Sequence, residues 1–396
     1  MVERKVGVEE ELLLVNPETF RLDGVSHRAL SAYFEKHRRA AGAAHEPSTG
    51  EDLEQELFLQ QLETAPAPCT RLDALKAEIW RCRHEAGDAA GAVGARVVAV
   101  GTPVLGGSDV TVTQKPRYER IVHEFGEIGR QGAVCGMHVH VDVESDDEAV
   151  AVLDRIRQWL PVLLAISANS PFWHGRDTGY ASWRSQVWKR WPSAGPSEPF
   201  GDPAGYRAAV ADLIASGAAI DTGMLYLDAR LAESYPTVEI RVADVCTEVD
   251  DAVLIAALSR GLVETVAGEW RDGAPSEVWR TDLLRAAHWR AGRDGMSHRL
   301  VDPTDRRAKP AREVLEALID RVRPALIAAG DLHVVKDATE RLLAGGAGAG
   351  RQRAVLAAQG SLEAVVADLG ERTDGVAFAA PASRSMDHER VDANLG

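Results

Sequence analysis

The stretch Ala133-Val-Cys-Gly-Met-His-Val-His-Val-Asp-Val143 alternates between apolar and polar residues from Met137 onward. A period of two is typical of a strand that packs one face and displays the other. The displayed face carries His138, His140 and Asp142. Because imidazole nitrogens bind divalent metals and hydrogen-bond phosphates, two histidines on one face indicate a metal or nucleotide site, with a plain surface strand as the alternative.

A second stretch near the start of the chain shows the same alternation. Lys5-Val-Gly-Val-Glu-Glu-Glu-Leu-Leu-Leu-Val15 places Glu9 and Glu11 on its polar face and leaves Glu10 on the apolar one, where it does not fit the pattern. Side chains two residues apart on a strand are about 7 Å apart. At that distance two ionised carboxylates repel each other unless a cation lies between them.

A third such stretch lies in the second half of the chain. Pro236-Thr-Val-Glu-Ile-Arg-Val-Ala-Asp244 places Glu239 and Arg241 together on the polar face, where a simple ion pair is the alternative interpretation. If all three strands belong to one sheet, their polar faces combine carboxylate, imidazole and guanidinium groups. Carboxylates hold divalent cations and Arg binds phosphate oxygens, so this combination points to ATP with magnesium.

Composition and charge exclude several classes of function. The 396 residues are 45% hydrophobic and 27% charged, as in an ordinary globular protein, and the formal net charge is -15. This negative charge argues against nucleic acid and against an anionic membrane as the main partner. The four cysteines have no Cys-x-x-Cys spacing and do not indicate a disulfide framework. No secretion signal or membrane span is visible in the sequence. We therefore expect a cytoplasmic protein.

Two other segments carry candidate site residues. Residues 54–66 are predicted to form one strand in which a bulge or bend would place Glu56 and Glu63 on one face. Residues 170–202 combine four tryptophans with Arg and Lys among Gly, Pro and Ser. Because binding residues favour loops, we predict a lid over an anionic substrate or nucleotide here, with an ordered surface loop as the alternative.

The remaining periodicities predict an α+β protein. Helices are predicted over residues 26–39, 72–93, 117–129, 145–169 and 203–216, with a loop at 40–52. A further strand over 224–231 could pair with the Glu239 strand in antiparallel fashion and extend its polar face with Asp228 and Arg230. After Thr247 only helices are predicted, over 249–269, 276–291, 312–329, 332–344 and 351–369. Strands early and helices late favour a mostly antiparallel sheet. We expect one catalytic domain over 1–370, with its helical C-terminal part at 248–370 and a flexible tail at 371–396. No P-loop or Rossmann glycine motif is present in the sequence.

The motifs, taken in order, resemble those of a known family. They are Gly7-Val-Glu-Glu-Glu11, Glu56 through Glu63 with Ala65-Pro-Ala-Pro-Cys69, Gly136-Met-His-Val-His140 and Thr237-Val-Glu-Ile-Arg241. This set is similar to that of the bacterial carboxylate-amine ligases of the glutamate-cysteine ligase type 2 family, which is related to glutamine synthetase. The resemblance implies a curved, mostly antiparallel sheet of the glutamine synthetase-like kind, with ATP and Mg²⁺ on its concave face and helices on its outer face.

The resemblance also implies roles for individual residues. The metal-ligand positions correspond to Glu9, Glu11, Glu56, Glu63, His138 and Glu239, and Mn²⁺ is a second candidate ion. Arg241 corresponds to the phosphate-binding arginine and, with Glu239, to the catalytic pair. His140 is expected beside the nucleotide. Trp183 and Arg184 fall, more loosely, where the family carries substrate-loop residues, and they are expected to contact the nucleotide as well.

The implied reaction is amide formation through an acyl phosphate. The carboxylate, which is expected to come from glutamate, accepts the γ-phosphoryl group of ATP. An amine then displaces phosphate, and this amine is cysteine or another compound. A magnesium-dependent phosphotransferase or hydrolase, or a non-catalytic nucleotide sensor, would use the same groups. The sequence does not select the amine, and a homodimer is expected only because it is the commonest assembly.

Overall fold

The structure is a computed structural model that describes residues 4–41, 53–106 and 110–378. Its strands are β1 (Val6–Val15), β2 (Leu53–Gln55), β3 (Gln61–Thr64), β4 (Arg96–Val98), β5 (Gly136–Asp142), β6 (Phe172–Trp173), β7 (Arg176–Asp177), β8 (Ala229–Leu231), β9 (Thr237–Asp244), β10 (Arg299–Val301) and β11 (Ala308–Pro310). Its helices are α1 (Ser26–Ala41), α2 (Leu72–Gly91), α3 (Pro116–Phe125), α4 (Glu127–Arg130), α5 (Asp146–Ile156), α6 (Leu160–Ser167), α7 (Arg184–Trp188), α8 (Pro203–Ala215), α9 (Val249–Arg271), α10 (Thr281–Asp294), α11 (Ala311–Ala328), α12 (Leu332–Gly345), α13 (Gly348–Gln359) and α14 (Leu362–Asp374).

One antiparallel sheet organises the fold. Its strand order is β2-β3-β1-β5-β9-β8, and β4 pairs with the C-terminal end of β1. The three alternating stretches of the sequence are therefore neighbours at the centre of the sheet, as β1, β5 and β9. The predicted α+β class and antiparallel sheet are confirmed.

The strand register brings the polar residues together. Glu11 of β1 lies opposite Glu63 of β3, and Glu9 lies opposite His138 of β5. His140 of β5 lies in turn opposite Glu239 of β9. Directly opposite residues on antiparallel strands project from the same face, so the register alone forms a continuous polar surface across four strands.

The other face of the sheet packs against helices. Val8, Val139 and Ile240 are buried there in one cluster with side chains of α5, α6, α9, α11 and α12. Because this cluster removes the apolar faces of both sheet and helices from water, it is the main source of stability for the arrangement. The predicted helices on the outer face of the sheet are confirmed.

Glu10, which does not fit the apolar face of β1, has a partner inside this layer. Arg83 of α2 donates to both of its carboxylate oxygens at 2.8 and 2.6 Å, and both side chains are fully buried. Arg83 also donates to the backbone carbonyls of Cys246 and Thr247. A buried charge is tolerated when it is paired and its hydrogen bonds are complete, and here the pair ties β1 to α2 and to the β9–α9 connection.

Several element boundaries differ from the predictions. Residues 54–66 are a hairpin of β2 and β3 rather than one strand, and the predicted helix over 145–169 is two helices, α5 and α6. Pro161 lies in the first turn of the second of these helices, because proline fits a first turn but not a helix interior. The predicted strand over 224–231 shortens to β8, which follows a 3₁₀ turn at Thr222–Met224.

The C-terminal third is not wholly helical, since β10 and β11 form a hairpin. The predicted helix over 351–369 is α13 and α14, separated at Gly360, whose φ of 75° favours glycine. Helix α14 continues to Asp374, and Phe378 stacks on Phe20 with ring centroids 5.6 Å apart, so residues 371–378 are folded. The rest of the expected tail and most of the expected loop at 40–52 lie outside the described residues. Within the described ranges, no helix has the length and hydropathy that crossing a bilayer requires.

Candidate active site

Glu9 lies at the centre of the polar face, between the two histidines. Its Oε2 is 3.2 Å from Nδ1 of His138, and its Oε1 is 3.2 Å from Nε2 of His140. Nδ1 of His140 is held in turn by the hydroxyl of Thr237 at 3.0 Å. Burial opposes ionisation of Glu9, but the two imidazoles outweigh it and hold the pKa of the carboxyl well below its usual range.

His138 is neutral at physiological pH. Burial, reinforced by the positive charge of Arg241, lowers its pKa to about 4. Nε2 of His138 is buried without a hydrogen-bond partner, and Nε2 of His140 is buried with only the carboxylate of Glu9 near it. Buried polar atoms are rarely left unpaired, and a neutral imidazole nitrogen of this kind can bind a metal ion.

Glu239 holds two arginines over the sheet. Nε of Arg230 lies 2.5 Å from its Oε2, and Nη1 of Arg241 contacts its Oε1. Burial raises the pKa of Glu239, but the charge of Arg241, with His138 and Arg230, outweighs burial and brings the pKa to about 2. Arg230 is also fixed by the backbone carbonyls of Thr222, Gly223 and Leu225. Asp228, which was expected to extend the polar face, instead contacts His288 of α10 at 3.1 Å.

A second group of carboxylates lies on the β3 side of Glu9. Burial and then the charge of Glu56 raise the pKa of Glu11 to about 7 and the pKa of Glu63 well above its usual range. Oε2 of Glu11 accepts the backbone N–H of Gly136 at 2.6 Å. Carboxylates this crowded share protons in the absence of a cation, and a divalent ion would relieve their repulsion.

Two sets of side chains have the spacing of metal ligands. Glu9, Glu63 and His138 form one set, and Glu9, His140 and Glu239 form the other, with the ligand atoms of each set within 4.8 Å of one another. Carboxylate oxygens and imidazole nitrogens suit Mg²⁺ or Mn²⁺, so this donor chemistry fits the expected metal. Four of the six predicted ligands fall in these sets, together with His140, which was expected beside the nucleotide.

The other two predicted ligands, Glu11 and Glu56, flank these sets. Oε1 of Glu11 is 3.9 Å from Nε2 of His138, and Glu56 hydrogen-bonds Glu63.

Arg184, the first residue of α7, lies near Glu11, whose carboxyl its charge affects. It is almost fully buried, and its Nη1 lies 3.9 Å from Oδ1 of Asp244. Gly136 leaves the space it needs, since a Cβ at position 136 would be 2.2 Å from Nη2 of Arg184. Trp183 packs edge-on against Tyr180 and lies outside the cavity described next, so its predicted contact with the nucleotide stays a prediction.

A cavity of about 250 Å³ opens beside the polar face. The sheet side carries Glu11, Glu56, Glu63 and His138, and three arginines, Arg117, Arg230 and Arg241, line it as well. The remaining walls include five aromatic side chains: Phe58, Tyr118, Trp188, Trp191 and Tyr226. Burial, followed by the charge of Glu56, raises the pKa of Tyr226 to about 12, so this phenol stays uncharged.

The segment predicted to be a lid forms part of these walls. It contains the β6–β7 hairpin and α7, and Trp191 is buried. Its base is fixed to the end of β9, because Asp244 accepts hydrogen bonds from the hydroxyls of Ser170 and Ser182 at 2.6 and 2.8 Å. Trp188 and Trp191 of this segment thus belong to a packed wall of the cavity, whereas its Arg and Lys side chains do not line it.

Sequence reasoning missed Arg117, Tyr118 and Tyr226 as site residues. They come from α3 and from the turn before β8, and meet only through the tertiary fold. Arg230, which was expected to extend the polar face from the paired strand, does lie opposite Glu239.

A larger cavity, of about 300 Å³, lies among the helices away from this cluster. Its charged groups pair with one another, as in Arg4 with Glu264 at 2.7 Å and Arg260 with Asp331 at 2.5 Å. It lacks the concentration of metal-binding groups found on the sheet.

Comparison with known proteins agrees with this geometry. The family model of glutamate-cysteine ligase family 2 matches residues 5–368. A Nocardioides protein named "Putative glutamate--cysteine ligase 2-1" is 50% identical over 94% of this chain and 96% of its own length. A Streptomyces coelicolor protein named "Putative glutamate--cysteine ligase 2" is 48% identical over 93% of this chain and 99% of its own.

Solved structures share the fold. The glutamate-cysteine ligase of Francisella tularensis, in complex with AMP, aligns with a TM-score of 0.68 at 13% identity over 95% of this chain and 89% of its own. A bifunctional glutathione synthetase from Pasteurella multocida aligns with a TM-score of 0.65 at 13% identity over 94% of this chain and 52% of its own. By the extent of the family match and the identity to these relatives, the chain belongs to glutamate-cysteine ligase family 2.

Proposed function

We propose that the protein is an ATP-dependent carboxylate-amine ligase that joins the side-chain carboxylate of glutamate to an amine through an acyl phosphate. The observation that carries this proposal is the arrangement of two metal-ligand sets sharing Glu9, with Arg241 and Arg230 beside them at the wall of a small cavity. Metal-bound phosphates and an adjacent arginine are what phosphoryl transfer requires.

In the first step the acid's carboxylate oxygen attacks the γ-phosphorus, a P–O bond forms, and the bond to the β-phosphate bridging oxygen breaks to give ADP. Mg²⁺ or Mn²⁺ held by Glu9, Glu63, His138, His140 and Glu239 would neutralise the phosphate charge. Arg241, held in place by Glu239, lies where it can bind the transferring group, and Arg230 braces Glu239 from the other side.

In the second step the amine nitrogen attacks the acyl carbon. A C–N bond forms and the C–O bond breaks, so that inorganic phosphate leaves with the electron pair. Counted from its protonated ammonium form, the amine loses two protons in all. The aromatic walls are suited to this step, because water admitted to the cavity would hydrolyse the acyl phosphate. The chain's contribution is therefore orientation, charge neutralisation and exclusion of water.

The partners proposed for this site are small molecules: glutamate, an amine and ATP. A cytoplasmic location and a homodimer stay predictions from the sequence. The alternatives on the same fold are a metal-dependent hydrolase or phosphotransferase and a nucleotide sensor. These two classes and the ligase differ in how ADP formation depends on the acid and the amine.

The test measures ADP and hydroxamate in the presence of Mg²⁺ and ATP. With glutamate and hydroxylamine, a ligase forms a γ-glutamyl hydroxamate in a one-to-one ratio with ADP, because hydroxylamine traps the acyl phosphate. ADP formed at the same rate without any acid would identify a hydrolase. Nucleotide binding with no ADP under any condition would identify a sensor.

A further inference from the structure

Arg117 of α3 lines the cavity with a guanidinium group that is only partly engaged. Its Nε and Nη2 donate to the two carboxylate oxygens of Asp221, at 2.7 and 2.9 Å. A guanidinium has five N–H donors in a planar fork, and this pairing uses two of them on one edge. Within the described part of the chain, Nη1 has no hydrogen-bond partner. The edge formed by Nη1 and Nη2 can therefore bind a second carboxylate.

The position of this guanidinium is fixed by the 3₁₀ turn at Thr222–Met224. Asp221 is the N-cap of the turn. A Cβ at Gly223 would be 2.7 Å from Nη2 of Arg117, so the glycine leaves the space that the arginine occupies. On the other side, Nη1 of Arg230 donates to the carbonyls of the first two residues of the turn at 3.2 Å. One turn thus holds Arg117 at a set position relative to Arg230.

The other cations of the cavity belong to its metal-binding end. Arg230 and Arg241 both pair with Glu239, which is part of a metal-ligand set. The phosphates of ATP and their metal ions would occupy this end. Among the described residues, only these two arginines and Arg117 supply Arg or Lys side chains to the lining, and residues 170–202 supply none. A second carboxylate on the acid substrate would therefore meet Arg117 rather than the segment predicted to be a lid.

The exposure of the Arg117–Asp221 pair suits a residue that receives a ligand. The two side chains are 43% and 37% exposed. A pair this open to solvent contributes little to stability, so its loss is not expected to unfold the protein. An incoming carboxylate also reaches the free edge of Arg117 without breaking a buried ion pair.

We infer that Arg117 is a specificity-determining residue that binds the α-carboxylate of the acid substrate while the γ-carboxylate lies toward Arg230 and Arg241. The inference rests on the proposed ligase function and specifies how the same site selects an amino acid as its acid. An acid that lacks the α-carboxylate forfeits these hydrogen bonds and is used less well.

The test compares two acids that differ only in the α-carboxylate, glutamate and 4-aminobutyrate. Each is supplied with ATP and Mg²⁺, and hydroxylamine is the acceptor, so that no acceptor carboxylate can bind Arg117. We expect the wild-type protein to use glutamate with a kcat/KM at least roughly tenfold larger, as for the loss of hydrogen bonds to a charged group. Arg117→Met is expected to remove most of this ratio, chiefly by raising the KM for glutamate.

Arg120→Met is the matched control, because Arg120 is an exposed arginine on the same helix that does not line the cavity. This variant is expected to keep the wild-type ratio between the two acids. Melting temperatures of both variants would show whether either one loses its fold. A ratio in Arg117→Met equal to that of the wild type would overturn the inference.

The same reactions separate this inference from the proposed function. Hydroxamate formed by the wild-type protein with equal kcat/KM for both acids leaves the ligase intact and removes the inference alone. Absence of hydroxamate with every acid removes both.

Discussion

At the scale of single residues, Glu239 has two tasks that depend on the same negative charge. It belongs to a metal-ligand set, and it also holds Arg230 and Arg241. Glu239→Gln keeps the shape but removes the charge that serves both tasks. We expect kcat/KM to fall by roughly 100-fold or more, as is usual when metal ligation is lost, and the Mg²⁺ concentration for half-maximal rate to rise.

The control for this variant is Glu144→Gln, which neutralises a half-exposed acid that pairs with Arg271 away from the cluster. Thermal unfolding of both variants would separate a loss of fold from a loss of chemistry. If Glu239→Gln retained wild-type turnover at limiting Mg²⁺, Glu239 would have no part in the metal site.

Gly136 provides a second test at this scale. An alanine Cβ there would collide with the guanidinium of Arg184, 2.2 Å from Nη2 and 2.8 Å from Cζ. We expect Gly136→Ala to displace Arg184 and to cost about 1–3 kcal/mol of unfolding free energy, together with most of the activity. Gly7→Ala is the matched control on the adjacent strand, because its Cβ would meet nothing closer than 3.6 Å. Equal melting temperatures of the two variants would refute the collision.

At the scale of elements, the end of β9 anchors the wall of the cavity. The buried carboxylate of Asp244 accepts hydrogen bonds from Ser170, Ser182 and the N–H of Asn169. Asp244→Asn places an amide donor against these donors. We predict a loss of roughly 1–3 kcal/mol in stability, the usual cost of an unsatisfied buried group, and faster proteolysis within residues 170–184.

Ser216→Ala is the control for Asp244→Asn, since Ser216 is an exposed serine whose hydroxyl bonds only within the end of α8 and its following turn. Limited proteolysis followed by mass spectrometry would locate the first cuts. First cuts outside residues 170–184 in Asp244→Asn would show that this carboxylate does not anchor the segment.

The elements that could be predicted from sequence are those with clear alternation. Strands β5 and β9 keep a period of two over seven residues or more, and β1 does so apart from Glu10 and Leu13, so the faces of Glu9, His138 and Glu239 follow from the pattern alone. The β2–β3 hairpin could not be predicted, because the turn between Glu56 and Gln60 is held by long-range bonds such as Leu59 N–H to Thr111 O. Tyr118 and Tyr226 carry no periodic signal and enter the site only through packing.

At the scale of the whole molecule, the strand order determines the site. Sequence proximity would not place Glu63, Glu9, His138 and Glu239 on one face in a row of adjacent strands, yet the path β3-β1-β5-β9 does so. The formal net charge of -15 has part of its origin in this row. A protein that concentrates buried carboxylates in this way sacrifices stability until a cation is bound.

The stability lost by concentrating these carboxylates should be recovered when a metal ion binds. This recovery can be measured as a rise in melting temperature, without turnover. A ligand that binds only the folded state raises the free energy of unfolding by about 2.7 kcal/mol when its free concentration is 100 times its dissociation constant. We therefore expect Mn²⁺ or Mg²⁺ to raise the melting temperature by several degrees in the absence of nucleotide. Glu9→Gln, which alters the one residue common to both ligand sets, should lose most of this increase, whereas Glu144→Gln should keep it. Differential scanning calorimetry across a metal titration would measure the shift, and equal increases in the two variants would show that the cation binds elsewhere on the acidic surface.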